Sequence, residues 1–199
     1  MNPTARPVAE WCVMRSLVSS SELIQRLASF ARDRRGISAV EFAMLLPLMV
    51  TMYLGVVEVS KGVAIDRKVT LTTRTMADLA SRVTSINNSD MTSLLNASAA
   101  VIAPYQSSPL KIVLSAVNVD ANGNATIAWS DTLGGSKRSV GSAVTLPAVL
   151  SVPNTQLIWS EVSYLYNPTF GYVLTGDLNL SDQIYMRPRL SESITRVNS

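Results

Sequence analysis

A glycine, an acid and an aromatic residue stand at a fixed spacing before a long apolar run. Residues 34–50 read RRGISAVEFAMLLPLMV, so Gly36 is followed, after four residues, by Glu41 and Phe42. If the chain were cut after Gly36, Ile37 would carry a new α-amine one helical turn before Glu41. That carboxylate could then pair with this ammonium or with a neighbour's. A partner matters because an unpaired acid at the centre of a membrane helix costs ~2.5 to 3.5 kcal/mol, and less near the interface.

The apolar run is long enough to cross a membrane. Residues 37–57 contain Glu41 as their only charge, and a helix of this length at ~1.5 Å per residue spans about 30 Å, the thickness of a hydrocarbon core. No small-x-small site follows the run, so removal as a conventional secretory signal is not expected. The arginines are denser before the run than the basic residues after it, which predicts a cytoplasmic N-terminus.

The positive charge of the chain is concentrated near its N-terminus. Residues 1–36 hold six of the 17 basic side chains and three of the 14 acidic ones, which leaves 11 of each after Gly36. The remainder therefore has no net positive charge with which to bind a phosphate backbone. We expect no nucleic-acid partner.

Residues that commonly carry enzyme chemistry are scarce. The chain has no histidine, which removes His-based acid–base catalysis, the usual hydrolase triads and most zinc sites. Its single cysteine, Cys12, lies in the basic N-terminal arm, so the rest could fold in an oxidising compartment without disulfides. Carboxylates such as Asp177 and Asp182 have no catalytic motif around them. We expect no enzyme, no cofactor and no metal site.

The residue patterns predict a long helix followed by strands. Beyond the apolar run, residues 58–86 keep a helical period with one stripe, formed by Ile65, Val69, Thr72, Met76, Leu79, Val83 and Ile86. Ser89 or Asp90 could cap a shorter helix that Pro104 ends. Alternating or β-branched runs then predict strands at 110–119, 124–130, 155–166 and 181–190. The expected fold is α+β and pilin-like: a long N-terminal membrane helix continues into an amphipathic helix that packs on a C-terminal antiparallel β-sheet.

The residues between the first two predicted strands allow two interpretations. Asp120, Asn122 and Asn124 superficially resemble a calcium loop, but the glycine and the acid that should follow are wrongly spaced. Asn122-Gly123 is a hairpin signal, because both residues tolerate positive φ. A hairpin turn is the preferred interpretation.

Several other positions have competing explanations. Glu58 and Lys61, one turn apart where the helix should leave the bilayer, predict a solvated ion pair. Pro47 removes one helical hydrogen bond, and a harmless kink is as good an explanation as an assembly role. Three tyrosines could form a partner surface, although packing is their commoner role: Tyr164, Tyr166 and Tyr172.

Gly36, four residues, Glu41-Phe42 and an apolar helix together resemble the prepilin processing site of the Flp/Tad (tight adherence) pilus system. With SAVEFAMLLPLMVTMYLGVVEVSK near the start, and VSYLYNPTFGYV and YMRPRL near the end, the layout is similar to TadE-like pseudopilins. The resemblance covers roughly residues 32–85 and 157–190. Ile37 stands where commoner type IV pilins have phenylalanine, which leaves its N-methylation open. The chain is longer than the tiny major Flp pilin, which favours a minor component.

This resemblance implies three regions and one maturation step. Residues 1–36 would be a basic cytoplasmic leader, residues 37–57 a transmembrane helix, and residues 58–199 a periplasmic or extracellular pilin-like α+β domain. A prepilin peptidase would cut after Gly36, where a residue without Cβ lets the backbone enter a tight cleft. The processing site is then Gly36 and Ile37.

The same resemblance implies an assembly role. Glu41 and Phe42 would be the assembly residues, with Glu41 fixing the axial register against a neighbouring subunit. Expected partners are the prepilin peptidase, other Tad pilus subunits, the inner-membrane assembly platform and the lipid bilayer, in a hetero-oligomer. The expected location is the bacterial inner membrane in a single pass, with or without later incorporation into the pilus.

A second interpretation needs no cut after Gly36. In it the chain is a permanently anchored bitopic protein whose periplasmic β-rich domain binds a ligand or an adhesion partner. The mass of the mature N-terminus separates the two interpretations.

Overall fold

One long helix carries the apolar run. In a computed structural model, which describes residues 34–168 and 176–197, helix α1 covers Arg34–Ser81 with Pro47 inside it. The chain divides into two units, Met1–Val50 and Thr51–Ser199. The described part of the first unit is helical throughout. The second contains the rest of α1 and all the strands described below.

The elements after α1 are β1 (Ser85–Ile86), α2 (Asn88–Ala100), β2 (Leu110–Val119), β3 (Ala125–Leu133), β4 (Ala143–Val144), β5 (Thr155–Tyr166), β6 (Leu178–Met186) and β7 (Thr195–Arg196). The strands form a five-stranded antiparallel sheet in the order β4-β3-β2-β5-β6, together with a parallel pair of β1 and β7. The central strand β2 places Leu110 opposite Tyr164 and Val119 opposite Thr155. These elements confirm the predicted α+β fold of a long apolar helix, a second helix and a curled antiparallel sheet.

The main core lies on one face of this sheet. Its buried side chains come from α1, α2 and the strands, because each presents one apolar face at its own period. The α1 members recur at helical spacing, as the sequence predicted, and they share one cluster with alternate residues of β2 and β5. The cluster includes Ile65, Val69, Met76, Ala80, Met91, Leu95, Ile112, Leu114, Ile158 and Val162.

A smaller core lies on the other face, at one end of the sheet. It is formed by Val117, Val119, Ala125, Ile127, Leu157 and Trp159. Val144, Leu146 and Leu150 pack against it from the segment between β3 and β5. The alternation predicted for residues 155–166 is confirmed, because Ile158 belongs to the main core and Leu157 to the smaller one.

Helix α1 ends earlier than its apolar stripe predicts. The helix was expected to continue through Ile86, but it ends at Ser81. The backbone N–H of Arg189 donates to the Ser81 carbonyl at 2.8 Å, so a distant segment satisfies a carbonyl at the helix end. Ile86 is fully buried because it lies in β1 beside Arg196 of β7, and not because the helix reaches it.

Helix α2 begins at a different cap from those expected. The N-cap is Asn87, not Ser89 or Asp90. Asn87 Oδ1 accepts the backbone N–H of Asp90 at 2.8 Å, and Asp90 Oδ2 accepts the N–H of Asn87 at 3.4 Å. This is a capping box built from an amide and a short acid instead of the usual hydroxyl and Glu. The helix ends at Ala100, before the predicted stop at Pro104.

Two predicted strands match closely and two are shifted. β2 and β5 have the predicted limits, whereas β3 continues to Leu133 and β6 begins at Leu178 and ends at Met186. β6 was expected to extend to residue 190. It stops before Pro188, because proline has no N–H for the ladder.

The turn between β2 and β3 is the hairpin that the sequence predicted. Gly123 has φ of 85°, a conformation that glycine adopts without strain. One carboxylate oxygen of Asp120 accepts the N–H groups of Asn122 at 2.8 Å and Asn124 at 2.7 Å. The side-chain hydrogen bond from Asn124 is the largest of the contacts that lower the pKa of Asp120. The carboxylate therefore fastens the turn.

Candidate functional site

The first part of α1 is apolar and exposed. Every residue from Gly36 to Tyr53 is exposed, and Met44 reaches 77%. The most apolar stretch of the helix has a mean hydropathy of 1.9, and 6% of it is buried. By length and composition the helix could form a single membrane span. We call residues 36–53 the exposed segment; an apolar surface of this size needs an environment other than water.

No packing contact among the described residues requires a glycine at position 36. A Cβ atom built at Gly36 meets no described atom within 4 Å, and the residue lies inside a helix. Alanine would fit there, and it would stabilise a helix interior by roughly 0.5 to 1 kcal/mol relative to glycine. The contacts of the described residues therefore do not account for a glycine at this position.

The other candidate residues share the same exposed helix. Ile37 is 57% and Phe42 59% exposed, and Glu41 is exposed one turn after Ile37. Within residues 36–168 and 176–197, no basic side chain forms an ion pair with Glu41. The Glu41 carboxylate is therefore accessible to a group from another molecule or to a new α-amine at Ile37.

From residue 55 onwards the same helix packs against the domain. Gly55 is buried, and Glu58 is only 1% exposed; we call residues 55–81 the docked half. The predicted solvated pair of Glu58 and Lys61 is wrong, because Glu58 is buried while Lys61 is exposed. Gly55, Glu58 and Gly62 continue the three- and four-residue steps of the apolar stripe towards the N-terminus of α1. This spacing in the sequence indicates that Glu58 lies on the buried face of the helix.

Tyr166 at the end of β5 holds this start of the docked half. Its hydroxyl donates to the Glu58 carbonyl at 3.4 Å, and its ring lies 3.7 Å from the position of a Cβ on Gly62. Burial, and then the charge of Glu58, raise the pKa of Tyr166. Burial also raises the pKa of Tyr164. Both tyrosines belong to the main core, which confirms packing as their role; Tyr172 lies outside the described residues.

The outer face of the sheet carries a self-contained polar cluster. Arg138 donates twice to Glu161, at 2.7 Å each, and its guanidinium lies 3.8 Å from the Trp159 ring centroid. Tyr185 stacks on Trp159 with ring centroids 5.3 Å apart. The hydrogen bonds to Glu161 raise the pKa of Arg138. These groups bind one another, and the contacts hold the segment after β3 against the sheet.

The acids considered for catalysis are engaged in local hydrogen bonds. Asp177 accepts from the Asn167 side chain at 2.8 Å, and Asp182 accepts the N–H of Gln183 at 2.8 Å. In the described part of the chain, no group of three or more His, Cys, Asp or Glu side chains is placed to hold a metal ion. The candidate site therefore remains the exposed segment and its junction with the docked half.

Comparison with known proteins agrees with this location. Residues 36–78 match the family model described as TadE-like protein. No curated protein and no solved structure matches the chain. The match begins at Gly36 and covers the exposed segment and most of the docked half, while the sheet lies outside it. It confirms the resemblance to TadE-like proteins and points to a protein associated with the Tad pilus.

Proposed function

We propose that the chain is a minor pilin or pseudopilin that takes part in assembly of a Flp-type (Tad) pilus after a prepilin peptidase cuts it behind Gly36. One observation carries the proposal: the family match begins at Gly36, the first residue of the Gly36–Glu41 spacing, and it covers the exposed apolar segment. The role is structural and not enzymatic.

The properties of Gly36 support the cut. The fold does not need a glycine there, since a Cβ would meet no described atom. A peptidase does benefit, because a backbone without Cβ can enter a narrow cleft. Removal of residues 1–36 would also remove the basic excess of the chain, leaving 11 basic and 11 acidic side chains.

The exposed segment has two successive roles in this proposal. It first anchors the chain in the inner membrane, with the N-terminus cytoplasmic and the sheet domain periplasmic. It then packs beside the equivalent helices of other Tad subunits in a hetero-oligomer, in contact with the assembly platform. Both environments are apolar, as the exposure of Met44 and Tyr53 requires.

Glu41 gives this packing a register. After the cut, the carboxylate lies one turn from the ammonium of Ile37, and a staggered neighbour can present its own ammonium. A paired carboxylate avoids much of the ~2.5 to 3.5 kcal/mol that an unpaired acid costs at the centre of a membrane helix. Only certain axial offsets bring the two charges together, so the pair selects among otherwise similar apolar contacts.

The test is the mass of the protein extracted from membranes. In cells with an active prepilin peptidase we expect a mature chain that begins at Ile37. In isogenic cells without the peptidase we expect residues 1–36 to be retained. The proposal is falsified if both strains retain these residues. That result would favour the permanently anchored bitopic protein with a ligand-binding or adhesion domain.

A further inference from the structure

The start of the docked half is in contact with one particular end of the sheet. The exposed segment stops at Tyr53 and Gly55 is already buried. Tyr166 reaches Glu58 and Gly62 from the last residue of β5. Gly62 is nine residues beyond Tyr53, a helical rise of about 13 Å. This end of the sheet therefore lies close to the end of the exposed segment at Tyr53.

The surface at this end has a distinctive composition. A cavity of about 370 Å³ opens there, lined by residues of α1, of the connection between α2 and β2, and of the end of β5. Leu165 beside it is 48% exposed, and Lys61, the charged side chain in its lining, is exposed and basic. We call the four residues Lys61, Tyr105, Gln106 and Leu165 the helix-proximal surface.

These residue types match the layers of a membrane interface. A tyrosine places its ring at the level of the lipid headgroups and its hydroxyl towards water. A lysine extends its alkyl stem along apolar surface and its ammonium towards phosphates. An exposed leucine on a soluble domain gains by entering the acyl boundary, at about 25 cal/mol per Å² of buried apolar area.

We propose that the helix-proximal surface rests on the lipid headgroup region of the same bilayer that holds the exposed segment. Leu165 enters the interface and Lys61 pairs with lipid phosphate, while Tyr105, whose side chain packs partly against the main core, borders this contact. This inference rests on the anchoring step of the proposed function, and it adds a second, peripheral contact with lipid. We choose lipid over a protein partner because the exposed segment, which the proposed function places in the bilayer, directly precedes this surface along α1.

Such a contact would orient the domain before assembly. A chain held by a helix alone can tilt and rotate, whereas a chain held at two places cannot. Extraction of the subunit from the bilayer would then require release of the headgroup contact as well as of the helix.

The experiment measures probe depth in vesicles. The full chain with Cys12→Ser is reconstituted at low protein density in phosphatidylcholine–phosphatidylglycerol vesicles that contain a lipid with a quencher on its headgroup. A fluorescent probe is attached at Leu165→Cys. The matched control is Asn122→Cys in the hairpin beyond Val119, at the opposite end of β2 from Leu110, about 30 Å away. Met49→Cys in the exposed segment reports insertion.

We expect severalfold stronger quenching at residue 165 than at residue 122, and weaker quenching at residue 165 when Lys61→Ala is added in anionic vesicles. Equal and weak quenching at residues 165 and 122, with residue 49 in the bilayer, overturns this inference and leaves the anchor intact. A probe at residue 49 that stays in water removes the anchor, and this inference with it. Protection of residue 165 that grows with protein density but not with quencher lipid would show a second copy instead, and would also overturn it.

Discussion

The two parts of helix α1 differ in what surrounds them, although they belong to one uninterrupted helix. In the docked half, side chains at helical spacing are buried, including Val69 and Met76 at 0% exposure. In the exposed segment, no position from Gly36 to Tyr53 is buried. The docked half therefore has its apolar partner within the domain, whereas the apolar surface of the exposed segment is left uncovered by residues 36–168 and 176–197.

The two parts of helix α1 should therefore respond differently to substitution. Substitutions in the docked half should change the stability of the domain. Substitutions in the exposed segment should leave stability unchanged and alter maturation, insertion or assembly. Matched changes of the same residue type in the two parts test the distinction.

The largest effect is expected for Met76→Ala. Met76 is fully buried, and its sulfur accepts a hydrogen bond from Ser98 Oγ at 3.0 Å. A cavity at such a site costs about 2 to 5 kcal/mol. The measurement is denaturant unfolding of the full chain in detergent micelles, followed by the fluorescence of Trp129 and Trp159. The control is Met44→Ala, at a position 77% exposed; a comparable loss there would break the contrast.

A smaller, opposite effect is expected for Gly62→Ala. The new Cβ would lie 3.7 Å from the Tyr166 ring, an ordinary contact. Removal of a glycine from a helix interior should therefore stabilise the domain by roughly 0.5 to 1 kcal/mol. Gly36→Ala favours the helix locally but lies outside the unit that contains the core, so it should leave the unfolding curve of the domain unchanged and block removal of residues 1–36, as seen by intact mass. Normal processing of Gly36→Ala would show that the glycine is not what the peptidase reads.

Alkaline pH should weaken the docked half. Burial raises the pKa of Tyr164 and Tyr166, so the folded state keeps their protons to a higher pH than the unfolded state. The stabilisation is complete below about pH 10 and is lost as pH rises through the folded pKa. The unfolding midpoint should fall above that pH, and it should fall less in a Tyr164→Phe, Tyr166→Phe variant. Tyr53→Phe in the exposed segment is the control. If it reduced the fall of the unfolding midpoint equally, the effect could not be assigned to Tyr164 and Tyr166.

The smallest effect on stability, within about 0.5 kcal/mol, is expected for Glu41→Gln, because the side chain is exposed and outside the core. Insertion and cleavage should stay nearly intact while piliation is impaired, since the register charge is gone. Electron microscopy of the pili measures this. Asp66→Asn, an exposed acid in the docked half, should assemble normally. Normal piliation of Glu41→Gln would end the register proposal.

The sequence predicted the elements whose signals are local. β2 and β5 have the predicted limits because apolar and β-branched residues alternate with polar ones or run together along them, and the motif at Gly36 and Glu41 lies on one helix as expected. The predictions that were wrong concern residues whose contacts lie far away in the sequence. Glu58 continues the spacing of the α1 stripe, but Tyr166, which contacts it, lies 108 positions later, and the end of α1 at Ser81 is completed by Arg189. Neither contact leaves a pattern in a short window of residues.

The parallel pair of β1 and β7 has a consequence for the timing of folding. Arg196 donates to the Ile86 carbonyl at 3.2 Å across 110 positions of sequence, and Trp129 Nε1 donates to the Ile194 carbonyl at 2.9 Å. The docked half cannot complete its packing until these late residues have left the ribosome. Folding of the domain therefore waits for the C-terminal residues, and a chain stalled before residue 187 would present its α1 stripe incompletely covered to chaperones and proteases.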